Sequence, residues 1–127
     1  MEKEKTLEFL NKYNYKFYEE NHKIVVKLDF SQRVYLDFSE NAKLKVTDRL
    51  TGWNFLTGLL NMSLKNAVIY NAIMSFFAGV IILIVNSKEI NSSLLIVFGF
   101  CTIQYLFFAI YYLIKLESFK IQLMQNQ

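Results

Sequence analysis

The sequence contains no proline, one histidine and one cysteine among its 127 residues. A single cysteine, Cys101, allows no intrachain disulfide, and it lies in a hydrophobic run where its thiol is expected to be inert. A single histidine, His22, allows neither a bis-histidine haem site nor an HExxH zinc motif. The absence of proline removes the most common cause of a kink in a helix.

Glycine-rich loops and convergent carboxylates, which many catalytic sites need, are also lacking. Gly52 and Gly58 are isolated from other glycines, so no phosphate-binding loop is present. Glu19 and Glu20 are adjacent and their side chains diverge, whereas a catalytic carboxylate pair must converge on a substrate. His22 falls in a predicted turn with no nucleophile and acid to complete a catalytic set. We therefore expect no catalytic, cofactor-binding or metal-binding residues, and a protein that is not an enzyme.

Long apolar runs occupy the second half of the chain. Residues 66–87 and 90–114 contain no Asp, Glu, Lys, Arg or His. Each run exceeds the roughly 20 residues with which a helix crosses about 30 Å of hydrocarbon. Only Lys88 and Glu89 interrupt them, which predicts a tight turn between two antiparallel helices. The predicted segments are transmembrane helix 1 at 65–86, an external turn at 87–92 and transmembrane helix 2 at 93–114.

Basic residues are unevenly distributed around these runs. Of the 14 Lys and Arg residues, 11 lie at or before Lys65, one lies in the break, and two follow the second run. By the positive-inside rule both termini are cytoplasmic, at the inner or plasma membrane if the cell is bacterial. The second helix is expected to continue into a cytoplasmic helical tail over 115–127. The residues expected at the membrane interface are Trp53, Lys65, Tyr70, Tyr111, Tyr112 and Lys115.

Apolar and polar residues alternate through the first part of the chain. This period of two indicates strands with one buried and one solvated face. It predicts an antiparallel β-meander of three strands, with a fourth strand before them, after a short helix over 3–12. Residues 1–52 are therefore a predicted cytoplasmic β-rich domain, and the fold class is an α+β membrane protein. The strands are predicted at about 13–18, 23–30, 33–38 and 42–48.

Residues 53–64, between the sheet and the first apolar run, have the spacing of an amphipathic helix. Leu56, Leu59 and Leu60 share one side, with Trp53 one turn earlier. Such a helix would cover the apolar face of the sheet or lie in the plane of the membrane interface. The sequence leaves both alternatives open.

Small and polar residues are expected where the two transmembrane helices meet. The predicted helix–helix packing residues are Asn71, Ser75, Gly79, Gly99 and Thr102. Gln104 is about 140° from Gly99 around an ideal helix, so it is expected to point partly aside. Its amide either bonds within its own helical hairpin or meets a second subunit or another protein.

These features favour a small non-enzymatic membrane protein that acts by binding, as an accessory subunit or a membrane-tethered adaptor. Its expected partners are the lipid bilayer and either another membrane protein or a second copy of itself. Nucleic acid is not expected, because acidic residues are interleaved with the lysines. The predicted partner contacts are Gln104, Tyr13, Tyr15, Tyr18 and Tyr35.

Two alternative functions remain open from the sequence. Several hairpins would form a pore if the Asn71–Ser75–Gly79 stripe and Thr102 lined a polar path. Alternatively, the β-domain is a sensor that binds a lipid headgroup or a small ligand through basic residues, although the same residues also fit an ordinary solvated face. The basic residues of this hypothesis are Lys43, Lys45, Arg49 and Lys65.

Overall fold

The computed structural model describes residues 2–39, 44–86 and 92–127. Within these ranges the elements are α1 (Glu2–Lys12), β1 (Lys16–Glu20), β2 (Lys23–Lys27), β3 (Gln32–Asp37), β4 (Lys45–Leu50), α2 (Leu64–Asn86) and α3 (Ser92–Gln125). The strands form one antiparallel sheet in the order β1-β2-β3-β4. The predicted α+β class, with a four-stranded meander followed by two long apolar helices, is confirmed. Lys43 and residues 87–91 of the predicted turn lie outside the described residues.

The turn between β2 and β3 shortens the second strand relative to its prediction. β2 ends at Lys27, because Phe30 and Ser31 have φ angles of 53° and 67°. This left-handed region disfavours residues that carry a Cβ, and an extended strand cannot pass through it. The turn is closed by the Leu28 N–H, which donates to the Gln32 carbonyl at 2.8 Å.

Helices from both ends of the chain cover the inner face of the sheet. The apolar residues of α3 that pack on the sheet recur at i, i+4, i+7 and i+11, which is one helical stripe. The predicted tail is therefore part of α3 and a cover of the sheet. The buried residues of this core are Phe9 and Leu10 of α1, Ile24, Val26, Val34 and Leu36 of the sheet, and Tyr112, Leu116, Phe119 and Leu123 of α3.

The helix predicted over 53–64 is wrong, since these residues form turns and bridges. Asn54 Oδ1 accepts hydrogen bonds from the Leu56 N–H at 3.0 Å and the Thr57 N–H at 2.8 Å. A side chain that bonds its own downstream backbone competes with helix formation. Asn54 and Gly58 are paired through their backbones, and Gly58 has a φ of 63°, which a tight loop accommodates.

A carboxylate from the sheet lies at the beginning of α2. Asp48 Oδ2 accepts a hydrogen bond at 2.7 Å from the N–H of Leu64, the first residue of α2. Ser63 Oγ accepts another at 3.3 Å from the Asn66 N–H. These acceptors satisfy two of the N–H groups that the first turn of a helix leaves unpaired, and a negative charge there is favourable. Together they fix where the apolar helix starts relative to β4.

α2 and α3 pack side by side. Tyr105 Oη donates to the Val68 carbonyl at 3.1 Å, and Phe98 lies against Gly79. Later residues of α3 therefore meet earlier residues of α2, as in an antiparallel hairpin. Both helices are long and apolar enough to cross a membrane, by length and composition. Large exposed apolar side chains along them include Phe76, Ile81, Leu83, Ile96, Phe100, Ile103 and Phe107.

Candidate functional site

Tyr112 lies at the centre of the contact between α3 and the sheet. Its Oη donates to the Phe30 carbonyl at 2.8 Å and accepts from the Phe55 N–H at 3.4 Å. Its own carbonyl accepts a hydrogen bond at 3.2 Å from Nε2 of the buried Gln32. Tyr112 is 0% exposed, so its ring is buried inside the domain instead of exposed to the membrane interface as predicted. The reason is its place on the stripe of α3 that packs against the sheet.

An exposed ion pair next to Tyr112 joins the β2–β3 turn to α3. Lys115 Nζ lies 2.9 Å from Asp29 Oδ2, and Tyr111 Oη donates to the same oxygen at 3.3 Å. The hydrogen bond from Lys115 lowers the pKa of Asp29, and Asp29 in turn raises the pKa of Lys115. Tyr111 and Lys115 thus lie where α3 leaves the sheet, and their predicted interfacial position stays a prediction.

Aromatic rings from the loop over 51–63 also pack against α3 near Tyr112. The rings of Phe55 and Phe108 stack with their centroids 4.1 Å apart, and the Trp53 ring meets Phe55 edge-on at 4.7 Å. Trp53 itself is 58% exposed, while Ser31 Oγ donates to its carbonyl at 2.7 Å. An indole held this way, with its ring uncovered, is the kind of group that belongs at a membrane–water interface.

The first turns of α2 contain three of the predicted site residues. Lys65 and Tyr70 are exposed. Asn71 Nδ2 donates to the Leu56 carbonyl at 2.8 Å and to the Ala67 carbonyl at 2.9 Å, and its predicted packing against α3 stays a prediction. The amide therefore joins α2 to the loop over 51–63.

Large side chains occupy the contact between α2 and α3 where small ones were predicted. A methyl group added to Gly79 would meet the Phe98 ring at 3.5 Å, whereas one added to Gly99 would meet no described atom within 4 Å. Thr102 Oγ1 donates to the Phe98 carbonyl in its own helix at 2.9 Å. Gly79 thus makes room for Phe98, whereas Gly99 has no close neighbour across the contact among the described residues.

Gln104 lies on the exposed side of α3. Its amide has no hydrogen-bond partner among residues 2–39, 44–86 and 92–127 and does not bond the half-buried Ser75. The side chains around it on the same face are Phe100, Ile103 and Phe107, each about two-thirds exposed. Gln104 is thus a lone amide within an exposed apolar surface.

The tyrosines predicted to contact a partner lie on different faces of the sheet. Tyr15 Oη donates to Gln122 Oε1 at 2.9 Å, so Tyr15 packs inward against α3. Tyr18 and Tyr35 lie on the outer face, on either side of Val25, which is 0% exposed. Tyr18 and Tyr35 are therefore brought together, and Tyr15 is separated from them.

The basic residues predicted to contact headgroups form only part of a larger group. Lys45 and Arg49 lie on the outer face of β4, while Lys43 falls outside the described residues. Arg49 ends a row of cross-strand partners that sequence reasoning missed. We call this set the basic row: Lys16, Lys27, Arg33 and Arg49. The short Asn21–His22 turn indicates which residues of β1 and β2 are opposite, but the register of the other strands depends on turns that the pattern does not reveal.

The described part of the chain contains no group of three His, Cys, Asp or Glu side chains arranged to hold a metal ion. No family model matches the chain, and no curated protein or solved structure matches it either.

Proposed function

We propose that the protein is a two-pass membrane protein that acts by binding and holds a small β-domain at the cytoplasmic surface of a bilayer. The uncovered apolar surface of α2 and α3 carries this proposal. No residue in the most apolar stretch of either helix is buried within the protein. Each large apolar side chain gains roughly 1.5–3 kcal/mol on full removal from water. Hydrocarbon is therefore the favoured surrounding for both helices, whereas a core helix of a soluble protein would be covered.

The charges at the ends of the two apolar segments support the orientation. Lys65 lies in the first turn of α2 and Lys115 follows the apolar part of α3, and both lie at the side where the sheet is attached. Cytoplasmic ends of membrane helices are enriched in Lys and Arg. In this proposal the sheet and both termini are cytoplasmic, and the turn at 87–92 is external.

Cysteine labelling in sealed cells or spheroplasts tests this topology. In a Cys101→Ala background, Lys88→Cys is expected to react from outside with a membrane-impermeant maleimide. The matched variant Gln127→Cys is expected to react only after the membrane is permeabilised. Labelling of both positions from the same side would contradict the two-pass arrangement.

Gln104 supports a binding role within the membrane. An amide without a partner is unfavourable in hydrocarbon, and hydrogen bonds between membrane helices contribute about 0.6–2 kcal/mol. We therefore expect a neighbouring helix, from a second copy or from another membrane protein, to bond this amide. This expectation makes the protein an accessory subunit or a membrane-tethered adaptor.

Replacing the amide tests the partner. Gln104→Leu is expected to lower the association constant about threefold to thirtyfold, and the assembled fraction with it, since one interhelical hydrogen bond is lost. The matched control is Thr102→Val, which removes a hydroxyl at similar depth that is bonded within its own helix. Native electrophoresis of detergent extracts measures the assembled fraction. Equal assembly of Gln104→Leu and the wild type would refute this part of the proposal.

The pore alternative has less support. Asn71 uses its amide to bond Leu56 and Ala67, and the Thr102 hydroxyl bonds Phe98. Two of the polar groups that would line a channel are therefore engaged within the chain. The adaptor proposal expects expression to leave the membrane potential unchanged, which a potential-sensitive dye measures.

A further inference from the structure

A row of four cations crosses the outer face of the sheet. Lys16 is the Cα partner of Lys27, Lys27 is that of Arg33, and Arg33 is that of Arg49. Because neighbouring strands are about 4.8 Å apart, the basic row extends about 14 Å. We propose that the basic row binds the anionic, phosphate-bearing headgroups of membrane phospholipids.

The four cations have no neutralising partner among residues 2–39, 44–86 and 92–127. Among the described residues, no carboxylate lies within salt-bridge distance of any of them. Arg33 Nη1 donates to Tyr18 Oη at 3.3 Å, and Lys27 Nζ lies 5.3 Å from the centre of the Tyr18 ring. These contacts add no negative charge, and like charges directly opposite each other destabilise a sheet. The row therefore opposes folding unless an external anion neutralises it.

At the other end of the same face, a second cross-strand row contains charges of both signs. There Glu20, Lys23, Asp37 and Lys45 alternate in sign across the four strands. Lys23 Nζ lies 3.2 Å from Asp37 Oδ2. Neighbouring residues in this second row therefore do not repel each other as those in the basic row do. The second row provides a control surface on the same face of the same sheet.

The basic row lies at the end of the sheet nearest the apolar helices. Arg33 follows Gln32, whose Nε2 donates to the Tyr112 carbonyl. At the other end Val46 and Leu123 line one groove, and Leu123 is about 16 Å further along α3. The strands therefore run along α3, and the row lies across it. This step rests on the proposed function: where α3 crosses the bilayer, the row is parallel to the membrane surface at headgroup height.

Lysine and arginine at this height suit lipid phosphates. Their long side chains extend the charge away from the backbone toward the headgroups, and the guanidinium group of Arg matches two phosphate oxygens at once. Each basic residue near an anionic membrane surface adds about fivefold in affinity. Four cations in one line fit a surface of many headgroups better than they fit a single free phosphate.

Lipid binding by the full-length protein in neutral detergent tests the proposal. Native mass spectrometry or fluorescence titration compares phosphatidylglycerol with phosphatidylcholine. Lys27→Gln/Arg33→Gln is expected to weaken phosphatidylglycerol binding about 25-fold, while phosphatidylcholine binding is weak throughout. The control Lys23→Gln/Lys45→Gln removes two cations from the same face and is expected to change binding less than twofold. Equal losses in the two double variants, or equal binding of the two lipids, would overturn the proposal.

A second variant separates binding from folding. Lys16→Gln/Arg49→Gln changes only the edge strands, keeps the hydrogen bond from Arg33 to Tyr18, and is expected to lose as much affinity as the first variant. If only the first variant loses affinity, and its thermal midpoint falls as well, the loss comes from misfolding and the proposal is wrong.

Other anions are distinguished in the same assay. Displacement of the lipid by millimolar inorganic phosphate would reassign the row to a free anion, and row-dependent binding of an RNA probe without lipid preference would reassign it to nucleic acid. Either result overturns the lipid assignment. If instead Lys88→Cys fails to label from outside while lipid binding still depends on the row, the two-pass proposal falls and the lipid site stands.

Discussion

The two halves of α3 form one continuous helix but have opposite surroundings. In the first half, large apolar side chains are exposed around the helix, among them Ile96, Phe100, Ile103 and Phe107. In the second half the apolar residues that recur along one stripe are buried against the sheet, with charged residues on the other sides. A helix that is apolar all round needs apolar surroundings, whereas a striped helix needs only one covered side. The change in pattern therefore marks where α3 passes from one environment to the other.

Tyr112 lies at the boundary between these halves. It is the first buried residue of α3, and its hydroxyl and carbonyl bond Phe30 and Gln32 at the β2–β3 turn and Phe55 in the loop over 51–63. These bonds fix both the rotation and the height of α3 relative to the sheet. Substitutions of the buried stripe from Tyr112 onward are therefore expected to disturb the sheet domain, whereas substitutions of exposed apolar side chains before it, such as Phe107, are expected to leave the stability of that domain unchanged.

The largest effect is expected when an aromatic ring is removed from the buried half of α3. Phe119 is 1% exposed and packs edge-on against Tyr15. Phe119→Ala is expected to destabilise the sheet domain by about 3–5 kcal/mol, because a large cavity forms in its core. Phe107→Ala, in the exposed half, is expected to change that stability by less than about 0.5 kcal/mol. Near-UV circular dichroism recorded during thermal unfolding in detergent measures the stability of both variants. Equal destabilisation by the two substitutions would mean that the two halves of α3 do not differ in their contribution to the sheet domain.

A smaller effect is expected at the boundary itself. Tyr112→Phe keeps the ring but leaves the Phe30 carbonyl and the Phe55 N–H without their partner, at an expected cost of about 1–3 kcal/mol. The control is Tyr70→Phe, which removes an exposed hydroxyl. Amide hydrogen exchange should accelerate in the β2–β3 turn of Tyr112→Phe only. Unchanged exchange there would mean that Tyr112 does not hold the sheet to α3.

Local patterns predicted the elements but not what covers the sheet. The strands and the apolar helices were predictable because alternation and hydropathy are properties of short segments. The spacing of the leucines in residues 53–64 predicts a helix that either covers the sheet or lies in the membrane interface, yet the side chain of Asn54 bonds its own backbone there and competes with helix formation. The segment of α3 that does cover the sheet also has recognisable helical spacing. However, it meets strands some 80 residues away in the chain, and a local sequence pattern does not predict such a contact.

The candidate site was predictable only in part for the same reason. Gln104 stands out in sequence as an amide in an apolar run, and it is exposed. The basic row does not stand out, because Lys27 and Arg33 become neighbours through a turn that contains Phe30 and Ser31 at positive φ. Aromatic residues at positive φ are uncommon, so the turn and the register it sets are not read from composition.

The smallest expected effect is a loss of stability in acid that is confined to the sheet domain. Hydrogen bonds from Ser39, followed by the contact with Lys23, lower the pKa of Asp37 to about 2. Since the folded pKa lies below the unfolded value of about 3.9, this stabilisation is complete above that value and is lost as the pH falls toward 2. Lys23 is exposed and Asp37 is only partly covered, so the effect is small.

Thermal midpoints between pH 5 and pH 2 test this difference between the two regions. Asp37→Asn is expected to flatten the decline of the midpoint, because the titrating carboxylate is gone, while the lowered pKa of Asp29 leaves a residual slope. Glu20→Gln, in the same cross-strand row, is the control and should keep the full decline, because the Glu20 carboxylate has no hydrogen-bond partner among the described residues. The apolar half of α3 has no ionisable Asp, Glu, Lys, Arg or His up to Ile114, so its helical signal should stay constant over this range. Acid-induced loss of that signal would mean that the apolar half depends on the sheet domain for its structure, and that the two halves are not independent.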